Sequence, residues 1–137
     1  MQPITQPASV TTTLLWAGRI LSGLSIVFLL LDGVMKIFKP AFVVEPTVRL
    51  GYPENVIIPL GVVLTVSTIL YAIPRTAVLG AILLTGYLGG AVATHVRVTE
   101  GLFPVIFPVI MGALVWGGLW FRDNRLRALM PLRQEGN

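Results

Sequence analysis

The sequence contains no cysteine. That absence excludes structural disulfides, cysteine-ligated zinc, iron–sulfur clusters and dithiol redox chemistry. Charge is scarce as well. Asp, Glu, Lys and Arg make up 12% of the 137 residues, against roughly 25% in ordinary globular domains. One histidine and six scattered carboxylates offer no ligands at helical spacing, so no metal site is expected. No Walker loop, no glycine-rich dinucleotide turn, no HExxH and no nucleophile elbow is present. No catalytic residue is assigned, and the sequence points away from an intrinsic enzyme. Any chemistry would come from a bound cofactor or a partner.

What the chain does have is apolar residues, 55% of the total. With so few charges a soluble domain could not cover its surface, and lipid is the natural solvent for the remainder. The net charge of +4 carries no nucleic-acid pattern. Four of the ten basic residues (Arg122, Arg125, Arg127 and Arg133) directly follow the last apolar run. A basic tail in that position reads as a cytoplasmic anchor beside anionic headgroups. The polar stretch Met1 to Thr13 holds no Lys or Arg. It has neither the positive n-region nor the cleavage site of a signal peptide.

A bilayer core of ~30 Å needs about 20 apolar residues in a helix. Four stretches qualify: Thr13 to Leu31, with helix continuing to Phe38; Val56 to Ile73, stopped by Pro74-Arg75; Thr76 to Val96; and Leu102 to Phe121. The expected fold is therefore an all-α membrane protein, a four-transmembrane-helix bundle. It has a polar N-terminal tail (1–12), a transmembrane domain (13–122) and a basic C-terminal tail (123–137). The second and third spans are joined so tightly that they must be antiparallel neighbours. Between the first and second lies a longer stretch, broken by Pro40, Pro46 and Pro53. It reads as a short helix or turn in the membrane interface. Lys and Arg counts place both termini on the cytoplasmic side of a multi-pass cell-membrane protein. Trp16, Trp116 and Trp120 form an aromatic belt on that side.

Close approach of small residues matters for helix packing in lipid. The third span is rich in them: Gly86 and Gly90 form a GxxxG pair, with Gly89 in the adjacent row. These predict helix contacts within one chain in preference to a homodimer interface. Tyr71 and Tyr87 read as packing or interface residues.

Polar residues inside apolar spans are default candidates for function. On the first span Ser22, Ser25, Asp32 and Lys36 share one face, the last two at i,i+4 spacing. His95 and Arg97 close the third span at the same membrane level. Two readings are open. In one, the cluster is a small polar site at the outer end, where His95 exchanges protons near neutral pH. Lys36 or Arg97 would there hold an anionic or quinone-like head group. In the other, Asp32 and Lys36 pair while His95 and Arg97 snorkel to the interface.

The run Gly33-Val-Met-Lys36-Ile-Phe-Lys-Pro40 resembles the G-x-x-K-x-x-x-P element closing the first helix of DoxX-like membrane proteins. Leu50-Gly51-Tyr52-Pro53 is similar to the element before their second helix. The stretch from Leu70 through Pro74-Arg75-Thr76-Ala77 to Thr94-His95-Val-Arg97 resembles their third-helix signature. So does Trp116-Gly-Gly-Leu-Trp120 their ending. The resemblance implies four membrane helices and little intrinsic chemistry. It also implies an accessory role beside a quinone-linked membrane redox partner; the cofactor stays unknown, with quinone as one candidate. Thr94 falls inside a matched element together with Lys36, His95 and Arg97, and joins Ser25 and Asp32 as a candidate ligand-binding residue. Many members carry a Glu early in the second helix; here Leu60-Gly61-Val-Val-Leu64-Thr65 has none. The alternative function is a binder or carrier of a small lipophilic molecule or lipid. It requires a cavity between the first and third spans, opening beside Ser25, with Gly86 and Gly90 making room.

Overall fold

A computed structural model describes residues 11–132. Most of the polar N-terminal tail, and Arg133 of the basic one, lie outside the described residues. Six helices follow in order: α1 (Thr12–Phe38), α2 (Ala41–Arg49), α3 (Ile57–Ala72), α4 (Ala77–Val98), α5 (Leu102–Arg122) and α6 (Asn124–Leu129). Short 3₁₀ turns at Glu54–Val56 and Pro74–Thr76 lead into α3 and α4. The helix ends follow local chemistry. Thr11 caps α1 by accepting from the Leu14 N–H at 3.4 Å. Lys39, in the left-handed region at φ 55°, ends that helix just before Pro40. Asp123 accepts from the N–H groups of Arg125 and Leu126 and starts α6, so part of the expected basic tail is folded.

Counting the 3₁₀ turns that lead into α3 and α4, four of these helical segments are long and apolar enough to cross a bilayer, and the fold is a four-helix membrane bundle. Its surface has the inverted pattern that lipid demands. On α1 the large side chains Trp16, Ile20, Leu24, Val27 and Leu31 face outward, while Gly18, Ser22, Ser25, Leu29 and Gly33 face the bundle. Apolar bulk gains nothing by leaving lipid, so what selects the inner face is how closely backbones approach.

The helices form a square in which α1 packs on α3 and α5, and α4 packs on the same two. Thus α1 and α4 stand on the diagonal. One end of the bundle holds the start of α1, the α3–α4 turn and the end of α5; we call it the termini end. The opposite end, covered by α2, is the cap end. Three close contacts set the square. At the termini end a Cβ on Gly18 would lie 2.8 Å from the Gly118 carbonyl oxygen of α5. At the cap end a Cβ on Gly61 would lie 2.7 Å from the Gly33 carbonyl oxygen of α1. Beside the α3–α4 turn, a Cβ on Gly80 would run into the Tyr71 backbone.

Buried polar groups stitch the same seams. The Tyr71 hydroxyl donates to the Val115 carbonyl oxygen at 2.7 Å. With that hydrogen committed, the Ser22 hydroxyl donates to the Tyr71 oxygen at 2.8 Å. One phenol thereby links α1, α3 and α5.

The packing expected of Gly86, Gly89 and Gly90 is made by other glycines. All three are exposed, and a Cβ at any of them meets no atom within 4 Å. The GxxxG spacing is present, but that stripe of α4 points away from both neighbours. Replacing Gly80 by Ala forces α3 and α4 apart and lowers stability by about 1–3 kcal/mol. Gly89→Ala, in open space, leaves it unchanged or raises it by up to about 1 kcal/mol. Thermal unfolding of both variants in mild detergent checks the contrast.

Candidate functional site

Because α1 and α4 stand on the diagonal and each packs on α3 and α5, space is left between them at the cap end. A cavity of ≈ 370 Å³ occupies it. Phe28, Leu29, Leu60, Leu88, Phe107 and Met111 make its wall largely apolar. Phe28 and Phe107 meet edge to face with ring centroids 5.2 Å apart, closing the α1–α5 side. Gly86 and Gly90 line the cavity and are themselves exposed, so their missing side chains leave a mouth on α4.

Polar groups gather at one end. Asp32 and Lys36 line the cavity, and the Lys36 Nζ donates to Asp32 Oδ1 at 2.5 Å. The pair forms along one helix turn, and the Lys36 side chain is only 15% exposed. Gly61 makes room for it: a Cβ there would lie 2.8 Å from the Lys36 Cβ. Across the cavity stand Thr94 and His95 of α4. The Thr94 hydroxyl donates to the Gly90 carbonyl oxygen at 2.8 Å, so the Tyr52 hydroxyl donates to Thr94 at 2.7 Å. His95 Nδ1 is buried without a hydrogen-bond partner, 3.6 Å from the Glu100 carboxylate.

Four of the six candidate residues therefore share one cavity: Asp32, Lys36, Thr94 and His95. The other two lie elsewhere. Ser25 is fully buried, and its hydroxyl donates to the Leu21 carbonyl oxygen at 2.8 Å within its own helix. Arg97 turns to the connection between α2 and α3, donating to the Leu50 carbonyl oxygen at 2.8 Å. Gly51 at φ +96° lies against that guanidinium, where a Cβ would sit 2.9 Å from Nη2. The backbone conformation at φ +96° favours glycine at 51.

The interfacial segment proves to be the lid of this cavity. Pro46, Thr47, Leu50 and Tyr52 line it from above. The Lys39–Glu54 ion pair at 3.6 Å ties the end of α1 to the turn before α3. Thr47, Tyr52 and Tyr87 are the polar lining residues that sequence reasoning did not place in the site. Tyr52 had a signal, since Leu50-Gly51-Tyr52-Pro53 is a recognisable element. Tyr87 had none beyond its position one residue after Gly86. Among the described residues no three His, Asp or Glu side chains converge as metal ligands.

Fold and site together define a multi-pass membrane protein with an amphipathic cavity under a helical cap. The chain belongs to the DoxX-like family, whose model matches residues 20–118, well over half its length. No curated protein and no solved structure matches the chain.

The Arg97 contact with Leu50 is the clasp of the cap. At this exposed position the hydrogen bond contributes about 0.5–1.5 kcal/mol. Arg97→Gln is expected to speed amide hydrogen exchange in residues 47–56 by about two- to tenfold, with α3 and α5 unchanged. Exchange mass spectrometry on the detergent-solubilised protein reads this directly.

Proposed function

We propose that the protein binds one small lipophilic molecule with an uncharged polar head group in the cap-end cavity. The observation that carries this reading is the cavity itself, ≈ 370 Å³ with an apolar wall and a polar end. That volume falls within the range of about 300–1,000 Å³ in which small-molecule sites fall. Asp32 and Lys36 neutralise each other, so the polar end favours neither an anion nor a cation. Hydrogen bonding is what it offers: the remaining Lys36 N–H groups, the His95 ring and the Tyr87 hydroxyl. A carbonyl or hydroxyl head on an apolar body matches these groups, and the mouth at Gly86 and Gly90 lets a tail run into the bilayer.

A quinone is a member of this class. With a quinone as occupant the protein acts as an accessory subunit beside a quinone-linked membrane redox enzyme, holding or delivering the molecule while the partner moves electrons. Other isoprenoid or lipid-like cargo makes it a carrier. In either case the role is binding. In the cell membrane the cap end faces outward, because the arginine-rich termini end belongs on the cytoplasmic side.

Native mass spectrometry from nanodiscs tests the reading, followed by thermal-shift titration with decylubiquinone as a probe. The wild-type chain is expected to retain one neutral lipophilic molecule, and Gly90→Leu, which fills the mouth, to weaken probe binding at least tenfold. A chain that carries only bulk lipid, and whose melting the probe does not move, would defeat the proposal.

A further inference from the structure

The described charges divide unevenly between the two ends. At the cap end Lys36, Lys39, Arg49 and Arg97 face Asp32, Glu45, Glu54 and Glu100, four against four. Two of those cations are in ion pairs, and His95 stands near a third carboxylate. At the termini end Arg19, Arg75, Arg122, Arg125 and Arg127 face Asp123 alone. Asp123 is committed to capping α6. None of the five arginines has an ion-pair partner among the described residues. Three lie instead over aromatic rings: Arg19 over Trp16, Arg122 over Tyr71 and Arg127 over Trp120, at 5.3, 5.7 and 5.5 Å. Among the described residues the positive excess thus sits at one end, with three of its five arginines held against rings rather than carboxylates.

Beside it lies a second cavity, a groove of ≈ 290 Å³ between the last turns of α5 and the underside of α6. Its lining is apolar: Trp116, Trp120, Phe121, Leu126 and Met130, with Gly117 as the floor. Trp120 is both wall and rim, since its ring carries the Arg127 guanidinium and its Nε1 donates to the Met130 carbonyl oxygen at 3.1 Å. Arg127 also donates from Nη2 to Asn124 Oδ1 at 2.8 Å. The head is therefore positioned before any ligand arrives.

We propose that this groove is a binding site for an anionic phospholipid, with an acyl chain along Gly117 and Leu126 and the phosphate on Arg127. The apolar groove takes a hydrocarbon chain, the tryptophan marks headgroup level, and the Arg127 guanidinium on the Trp120 ring, with no ion-pair partner among the described residues, complements phosphate geometry. Zwitterionic lipid supplies the chain but no net charge. Free phosphate supplies the charge but nothing for the groove.

The test is native mass spectrometry and thermal shift on the full chain in detergent, with phosphatidylglycerol, phosphatidylcholine and inorganic phosphate as separate probes. Saturable binding and a raised melting temperature are expected with phosphatidylglycerol alone. Arg127→Gln is expected to weaken it at least tenfold. Gly117→Leu, which fills the floor without touching charge, should do the same. Arg75→Gln removes a cation at the same end but away from the groove, and should change affinity less than twofold. Equal binding of phosphatidylcholine, protection by phosphate alone, or equal losses in the Arg75 and Arg127 variants would each overturn the site. If Arg127→Gln does not fold, Gly117→Leu decides.

Discussion

Contact between backbones at glycine is the constraint on which the bundle rests. In lipid the helices have no apolar surface to hide, so they meet where nothing keeps them apart. Gly33 against Gly61 and Gly18 against Gly118 draw α1 onto α3 and α5, and Gly80 draws α4 onto α3. No such contact joins α1 to α4. The cavity is the space that remains when one helix is pulled tightly to two neighbours and its diagonal counterpart is not.

The polar groups follow the same geometry. Where α1 is pressed against its neighbours, its hydroxyls are spent on local partners: Ser25 bonds to its own helix and Ser22 joins the Tyr71 bridge. Where α1 looks toward α4 across open space, Asp32 and Lys36 have only each other and the cavity. The α2 cap then shuts that end, with Tyr52 fixed to Thr94 and Leu50 to Arg97.

The four spans were legible in the sequence because their lengths answer to a bilayer thickness and their stops to Pro and Gly. The polar end was legible because charge in an apolar run is conspicuous wherever the helix later packs. Which of those residues share a cavity was not. Ser25 and Asp32 lie on one helical face, yet that face meets α3 or α5 at one level and a void at another. Periodicity is blind to that difference. Gly86 and Gly90 show the same limit, since GxxxG spacing reports a smooth stripe and not what lies opposite. Tyr52 and the reach of Arg97 depended on the cap folding back over the bundle, which no local pattern encodes.

The Asp32–Lys36 pair has a consequence for biosynthesis. The two charges are one helical turn apart on α1, which is synthesised before α3, α4 and α5. They cancel as soon as that turn forms, with no need of α3, α4 or α5. The segment with the most awkward residues can therefore partition into the membrane on its own, already neutral, and wait there for the helices that will wall in its site. Separating the pair onto two helices would have made insertion of the first depend on synthesis of the other.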